Sequence, residues 1–160
     1  MSEQIVVGVD GTEGGRRALA WALHHAAATG ARVLVASVYY DPAARPGHPP
    51  SVRAQGARRD AERHLAADVE TVLADVPHPP QIDTLVVPGD VTAHTLADLA
   101  EHAALLVVGS HGHGVVSSRV IGTVSMGCVT SAVCPVLVVP AKDRTASPGE
   151  VVAAPAGIVL

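Results

Sequence analysis

The chain has 160 residues, a length suited to one domain, and is 48% hydrophobic, with one Trp, two Tyr and no Phe. Its formal net charge is −4. That leaves no basic footprint for nucleic acid, and the scarcity of aromatic rings removes the platforms on which single strands stack. No run of about 18 apolar residues is present to cross a bilayer. The opening MSEQIVVGVD lacks the basic start and apolar core of a secretory signal. A cytoplasmic protein is expected, with small helix faces packed on a Val-rich sheet.

Residues 5–9 (IVVGV) form a short apolar run that ends at Asp10 and Gly11. A run that does not alternate suits a strand buried on both faces. Thr12 can cap the helix that follows, with Glu13 favourable at its positive end. That helix runs through Arg16 to about Thr29, with Leu19, Ala22, Leu23 and Ala26 on one face, and Gly30 stops it. Residues 32–38 (RVLVASV) read as a second strand. Residues 39–51 carry four prolines and a glycine and read as a mobile loop. Residues 53–75 read as a charged amphipathic helix with Leu65, Val69, Val72 and Leu73 inward, ended by the proline cluster at 77–80.

Residues 82–87 read as a third strand, closed by Pro88, Gly89 and Asp90. A helix is expected over 92–103, with Leu96, Leu99 and Ala103 inward, then a fourth strand over 105–108. A fourth helix is expected over 122–132 and a fifth strand over 135–139 (PVLVV), with Pro140 ending it. The domain thus spans 1–140, and 141–160 reads as an Ala/Pro-rich tail. Alternating strands and helices imply an α/β fold: a doubly wound domain with a five-stranded parallel sheet and helices on both faces.

Cys128 and Cys134 lie in apolar surroundings and have no CxxC or zinc spacing, so both read as buried reduced thiols, and no protein metal site is expected. The stretch LLVVGSHGHGVVSSRVIGTVS, residues 105–125, runs from strand through glycine loop to helix start. Glycines let a backbone approach a ligand closely, and a helix start offers unpaired N–H groups to an anion. No GxxxxGK[ST] is present, and Ser117 breaks a GxGxxG reading of Gly112 and Gly114. What is present is G-x2-G-x9-G-[ST], on Gly109, Gly112, Gly122 and Thr123. A glycine-rich strand-to-helix turn that binds nothing is the plain alternative.

This motif, with the opening IVVGVDGT and the closing CPVLVVP, resembles the universal stress protein family in its ATP-binding branch. The resemblance covers about residues 3–140. It implies strand order 3-2-1-4-5, which places the reversal between strands one and four. Ligands in such sheets bind beyond the carboxyl ends at that reversal. Those ends are Asp10 and Gly109, so the glycine loop and a carboxylate meet there.

The resemblance further implies ATP, or AMP or ADP, as ligand, with Mg²⁺ arriving with ATP. Asp10, with Val9 before it and Thr12 two residues on, would contact the nucleoside; an Asx turn is its structural alternative. Val38 would lend backbone groups to adenine or be a core valine. Gly89 would let the chain pass the base or make a tight turn. Gly109, Ser110, Gly112, His113, Gly114, Gly122, Thr123, Val124 and Ser125 would surround the phosphates. His111 stands where the family often has Arg. An imidazole titrates in the neutral range, whereas a guanidinium stays charged.

No paired carboxylate or lysine accompanies the loop; the sole lysine is Lys142. The expected role is regulatory adenine-nucleotide binding in a stress response. A slow ATPase using the same pocket and a nucleotide-free dimeric interaction module are the alternatives. The resemblance implies a homodimer through Val136, Leu137, Val138 and Val139, with no nucleic-acid or membrane partner.

Overall fold

The computed structural model describes residues 2–45, 47–111 and 121–140. The elements are β1 (Gln4–Gly8), α1 (Glu13–Thr29), β2 (Arg32–Tyr40), α2 (Ala54–Leu73), β3 (Ile82–Gly89), α3 (Thr92–Leu99), β4 (Leu105–Gly109), α4 (Thr123–Ser131) and β5 (Val136–Val139). The five strands form one parallel sheet in the order β3-β2-β1-β4-β5, as expected. Among the described residues no helix is long and apolar enough to cross a membrane.

The continuous apolar runs of the inner strands follow from burial on both faces. Val7, Val33, Val35 and Val107 point to one side and pack with Leu19 and Leu23 of α1 and Leu65 and Val72 of α2. Val6, Ala36, Leu106 and Val108 point to the other and pack with Ala93 and Leu96 of α3 and Cys128 of α4. Burial pushes the Cys128 thiol up to about 11, so it stays a protonated core group rather than a nucleophile. Cys134 is half-buried rather than buried.

Thr12 caps α1 by accepting the Gly15 N–H at 3.2 Å, and Gly30 ends the helix in the left-handed region at φ 75°. Several boundaries differ from expectation. β3 runs through Pro88 to Gly89 instead of stopping at Val87. It pairs only with β2 at the sheet edge, where a residue without N–H is tolerated. β2 runs on to Tyr40, because Tyr39 is buried against Ala54 and Ala61 of α2. β1 stops at Gly8, although the Val9 N–H still reaches the Ala36 carbonyl at 2.9 Å. α3 ends at Leu99, four residues early, with the fully buried Ala100 closing it.

The loop after β2 is tied down by one carboxylate. Asp41 is buried and accepts from the Ala43 N–H (3.1 Å), the Ser51 N–H (3.1 Å) and the Ser51 hydroxyl (3.1 Å). Ser51 in turn accepts the Ala54 N–H at 3.3 Å, at the start of α2. The Ser51 N–H, more than any other group, holds the Asp41 carboxyl below its ordinary value; desolvation opposes this and the remaining hydrogen bonds assist. A depressed carboxyl stabilises the fold above its unfolded-state value and loses that contribution as pH falls through the folded one. Asp41→Ala should therefore melt lower than the parent at neutral pH. The gap should hold from about pH 7 down to the ordinary aspartate value of about 4 and narrow as pH falls further toward about 2. Thermal melts across that range check this, and a gap independent of pH would contradict it.

Candidate functional site

The strand order reverses between β1 and β4, whose carboxyl ends diverge and leave a crevice. A cavity of about 340 Å³ lies there, a size in the range of small-molecule sites. Its apolar lining is Ala36, Val38, Leu96 and Val108, and its polar lining includes Asp10, His111, Thr123 and Ser125. Gly8 makes room for Leu96: an added Cβ would come within 2.8 Å of Leu96 Cδ1.

The wall on the β1 side is the turn into α1. Asp10 Oδ1 accepts the Thr12 N–H at 3.1 Å and the Thr12 hydroxyl as well. This is the Asx turn that was the structural alternative at Asp10, and it occurs on a residue that also lines the cavity. Gly11 follows in the left-handed region at φ 80°. Val9 lines the cavity beside Asp10; Thr12 does not, and serves as the α1 cap.

The opposite wall is the end of β4 and the start of α4. The Ser110 N–H donates to the Val139 carbonyl at 2.8 Å, and the Gly122 N–H donates to the Ser110 carbonyl at 2.8 Å. The Gly122 N–H is therefore taken, although Gly122 itself lines the cavity. Gly122 is the extended N-cap of α4. The N–H groups left without an intrahelical acceptor are those of the first turn, where Thr123, Val124 and Ser125 line the cavity. The Ser125 hydroxyl donates to the Gly109 carbonyl at 2.6 Å, which locks that turn onto β4. Ser110 Oγ and His111 Nδ1 are hydrogen-bonded at 2.7 Å. His111 Nε2 is buried and has no hydrogen-bond partner among the described residues.

Glycines bring the two walls together. A Cβ on Gly109 would sit 2.7 Å from the Gly14 carbonyl carbon and oxygen, and one on Gly14 would sit 2.7 Å from the His111 carbonyl oxygen. Gly109 is thus required by helix packing, whatever it does for a ligand. Gly89 lies outside the cavity lining. It is the last residue of β3, not a turn, and a Cβ there would meet Thr95 Oγ1 at 2.4 Å and Val38 Cγ1 at 2.9 Å. Ser110 also lies outside the lining, while Gly112, His113 and Gly114 fall outside the described residues.

Gly8, Gly15, Ala36, Thr92, Leu96 and Val108 line the cavity without having been expected there. Gly14 and Gly15 did carry a signal, because two glycines in a helical first turn cost stability unless something must come close. Among the described residues no cluster of three or more His, Cys, Asp or Glu is placed to hold a metal.

A doubly wound parallel sheet with a cavity at its reversal defines an α/β domain of the kind whose ligands, where they bind, sit beyond the strands' carboxyl ends. Residues 1–140 match the universal stress protein family, and the chain belongs to that family. A universal stress protein of Thermus aquaticus is 34% identical over 140 residues, which cover 87% of this chain and 99% of that protein. The structure of the universal stress protein UspA from Lactobacillus plantarum superposes with a TM-score of 0.70 at 22% identity, covering 86% of this chain and 97% of that one. A universal stress protein solved in complex with cAMP matches at 26% identity and a TM-score of 0.56, covering 88% of this chain and 98% of that one.

The glycine contacts give a direct test of packing. Gly109→Ala should destabilise by about 1–3 kcal/mol, since the obstructing Gly14 backbone cannot rotate aside as a side chain would. Gly56→Ala, where a Cβ meets nothing within 4 Å, should instead gain up to about 1 kcal/mol of helix stability. Urea unfolding of both variants measures the contrast, and similar values for the two would refute the packing constraint.

Proposed function

We propose that the cavity binds an adenine nucleotide, ATP in the first instance, and that the protein is a regulator whose conformation or partner contact follows occupancy. The observation that carries this reading is the cavity at the sheet's reversal, lined by Val38 and Leu96, with Asp10 on one wall and the first turn of α4 on the other. The first turn of a helix offers an anion N–H groups that have no intrahelical acceptor. The cAMP complex of the relative at 26% identity supports an adenine ligand.

In this reading the base lies against Val38 and Leu96, and Asp10 accepts hydrogen bonds from the nucleoside. The phosphates meet the N–H groups of Thr123, Val124 and Ser125, the Thr123 hydroxyl and His111. Gly112, His113 and Gly114 would complete the phosphate side.

A ligand that binds only the folded state raises the melting temperature, by about 2.7 kcal/mol of stability at a hundredfold excess over Kd. ATP should therefore stabilise the parent. Gly122→Glu places a carboxylate at the start of α4, where it repels phosphate, and should abolish the shift. Circular dichroism confirms that the variant is folded; equal shifts in both folded proteins would remove the assignment.

The same reading includes a homodimer through β5. Among the described residues this strand is a sheet edge, and such an edge is a template for pairing with another chain. α4 adds to that edge. Gly127 faces Ala93 of α3, so Val129, half a helical turn away, lies on the opposite side of α4 and is 51% exposed, and Val133, between α4 and β5, is 78% exposed. The double variant Val129→Asp with Val133→Asp spares the core and should sediment as a monomer where the parent sediments as a dimer. A variant that stays dimeric would move the interface elsewhere.

A further inference from the structure

The turn that carries Asp10 is held from outside by α2. The Gly11 N–H donates to Asp68 Oδ2 at 3.1 Å. Arg16 Nη1 donates to the Gly11 carbonyl at 3.0 Å and to Asp68 Oδ1 at 3.2 Å. The three groups close a ring around Gly11. The His64 ring, also on α2, lies 3.0–3.2 Å from where a Gly11 Cβ would be. Both polar groups of Gly11, and the space beside it, are thus fixed by one helix and the side chain of Arg16.

Asp68 is 3% exposed, whereas the Arg16 side chain is 36% exposed. Burying a carboxylate beside a half-exposed guanidinium is a poor way to gain stability, because desolvation offsets much of the attraction. A well-packed apolar residue would serve the core better. What the carboxylate supplies, and an apolar side chain would not, is an acceptor for the Gly11 N–H in one orientation. Gly11 directly follows Asp10, and Thr12 holds Asp10 Oδ1 on the other side of it. Fixing the Gly11 peptide therefore fixes the Asx turn, and with it the Asp10 carboxylate on the cavity wall.

We infer that Asp68 is a positioning residue for ligand recognition, acting from α2 through Gly11 on Asp10. The inference rests on the reading of Asp10 as the nucleoside contact. It predicts coupling: Asp68 matters for nucleoside affinity only while Asp10 is there to be positioned.

A double-mutant cycle on the full chain tests this. Asp10→Asn keeps the acceptor for the Thr12 N–H and removes the charge; Asp68→Asn is near-isosteric. ATP and inorganic tripolyphosphate are titrated calorimetrically into the parent, both single variants and the double variant, well below their melting temperatures. Each single substitution should weaken ATP about tenfold, as for loss of a hydrogen bond to a charged group. The double variant should be no weaker than Asp10→Asn alone, since residues that act as a unit are not additive. Tripolyphosphate, which has no nucleoside, should bind all four proteins within about twofold.

An additive loss, about a hundredfold in the double variant, would overturn the positioning role and leave the Asp10 reading intact. So would a lowered melting temperature for Asp68→Asn with no change in ATP affinity, which marks a purely structural residue. Unchanged ATP affinity in Asp10→Asn would overturn the Asp10 reading and the inference together. Should Asp68→Asn fail to fold, Arg16→Gln replaces it in the cycle, because Arg16 is the exposed partner in the ring and the same non-additivity is required of it.

Discussion

Where the first turn of α1 meets the end of β4 there is no room for a side chain. Gly14 and Gly109 approach so closely that a Cβ on either would overlap backbone atoms of the other wall. Backbone cannot rotate out of the way, so this contact fixes the distance between the two sides of the sheet's reversal. The cavity depends on it. A wider approach would separate Asp10 from the start of α4, and a helix with side chains in its first turn could not come this near. Thr12 then supplies a cap acceptor for the glycine-bearing turn, offsetting part of what two glycines cost in a helix.

The fold was largely legible in the chain because the inner strands are buried on both faces. Val6, Val7, Val33, Val35, Leu106 and Val107 are apolar without alternation for that reason. Strand ends were less legible, because tertiary contacts set them. Tyr39 reads as loop, yet packs on Ala54 and Ala61 of a helix that begins well after it. Pro88 reads as a stop, yet an edge strand accommodates it.

The site was legible where glycines crowd between strand and helix, but not always for the reason the residues suggested. Gly109 answers to Gly14 and Gly89 to Thr95, while the Gly122 N–H closes onto Ser110. Asp68 could not be found from the charge pattern of α2. A buried carboxylate on a charged helix looks like another solvated one until its partner, Arg16, is brought from 52 residues away. The one available hint was its spacing from Leu65 and Val72, which puts it on the inward face of α2.

The two walls of the cavity are therefore built by different means. On the β1 side, the buried Asp68 carboxylate, its partly exposed partner Arg16 and a left-handed glycine orient one carboxylate. On the β4 side, helix α4 is pinned by the Ser125 hydroxyl and leaves its first N–H groups at the cavity. The same helix carries Val124 at the cavity and Val129 exposed further along, with Val133 exposed just past its end. In the proposed reading, one short helix thus touches the nucleotide at its start and the partner subunit along its flank. A ligand that shifts or steadies α4 changes the surface offered for assembly, and assembly that steadies α4 favours the ligand by the same free energy. Regulation by occupancy then requires no catalytic group: the differential contact is made by the helix that both events share.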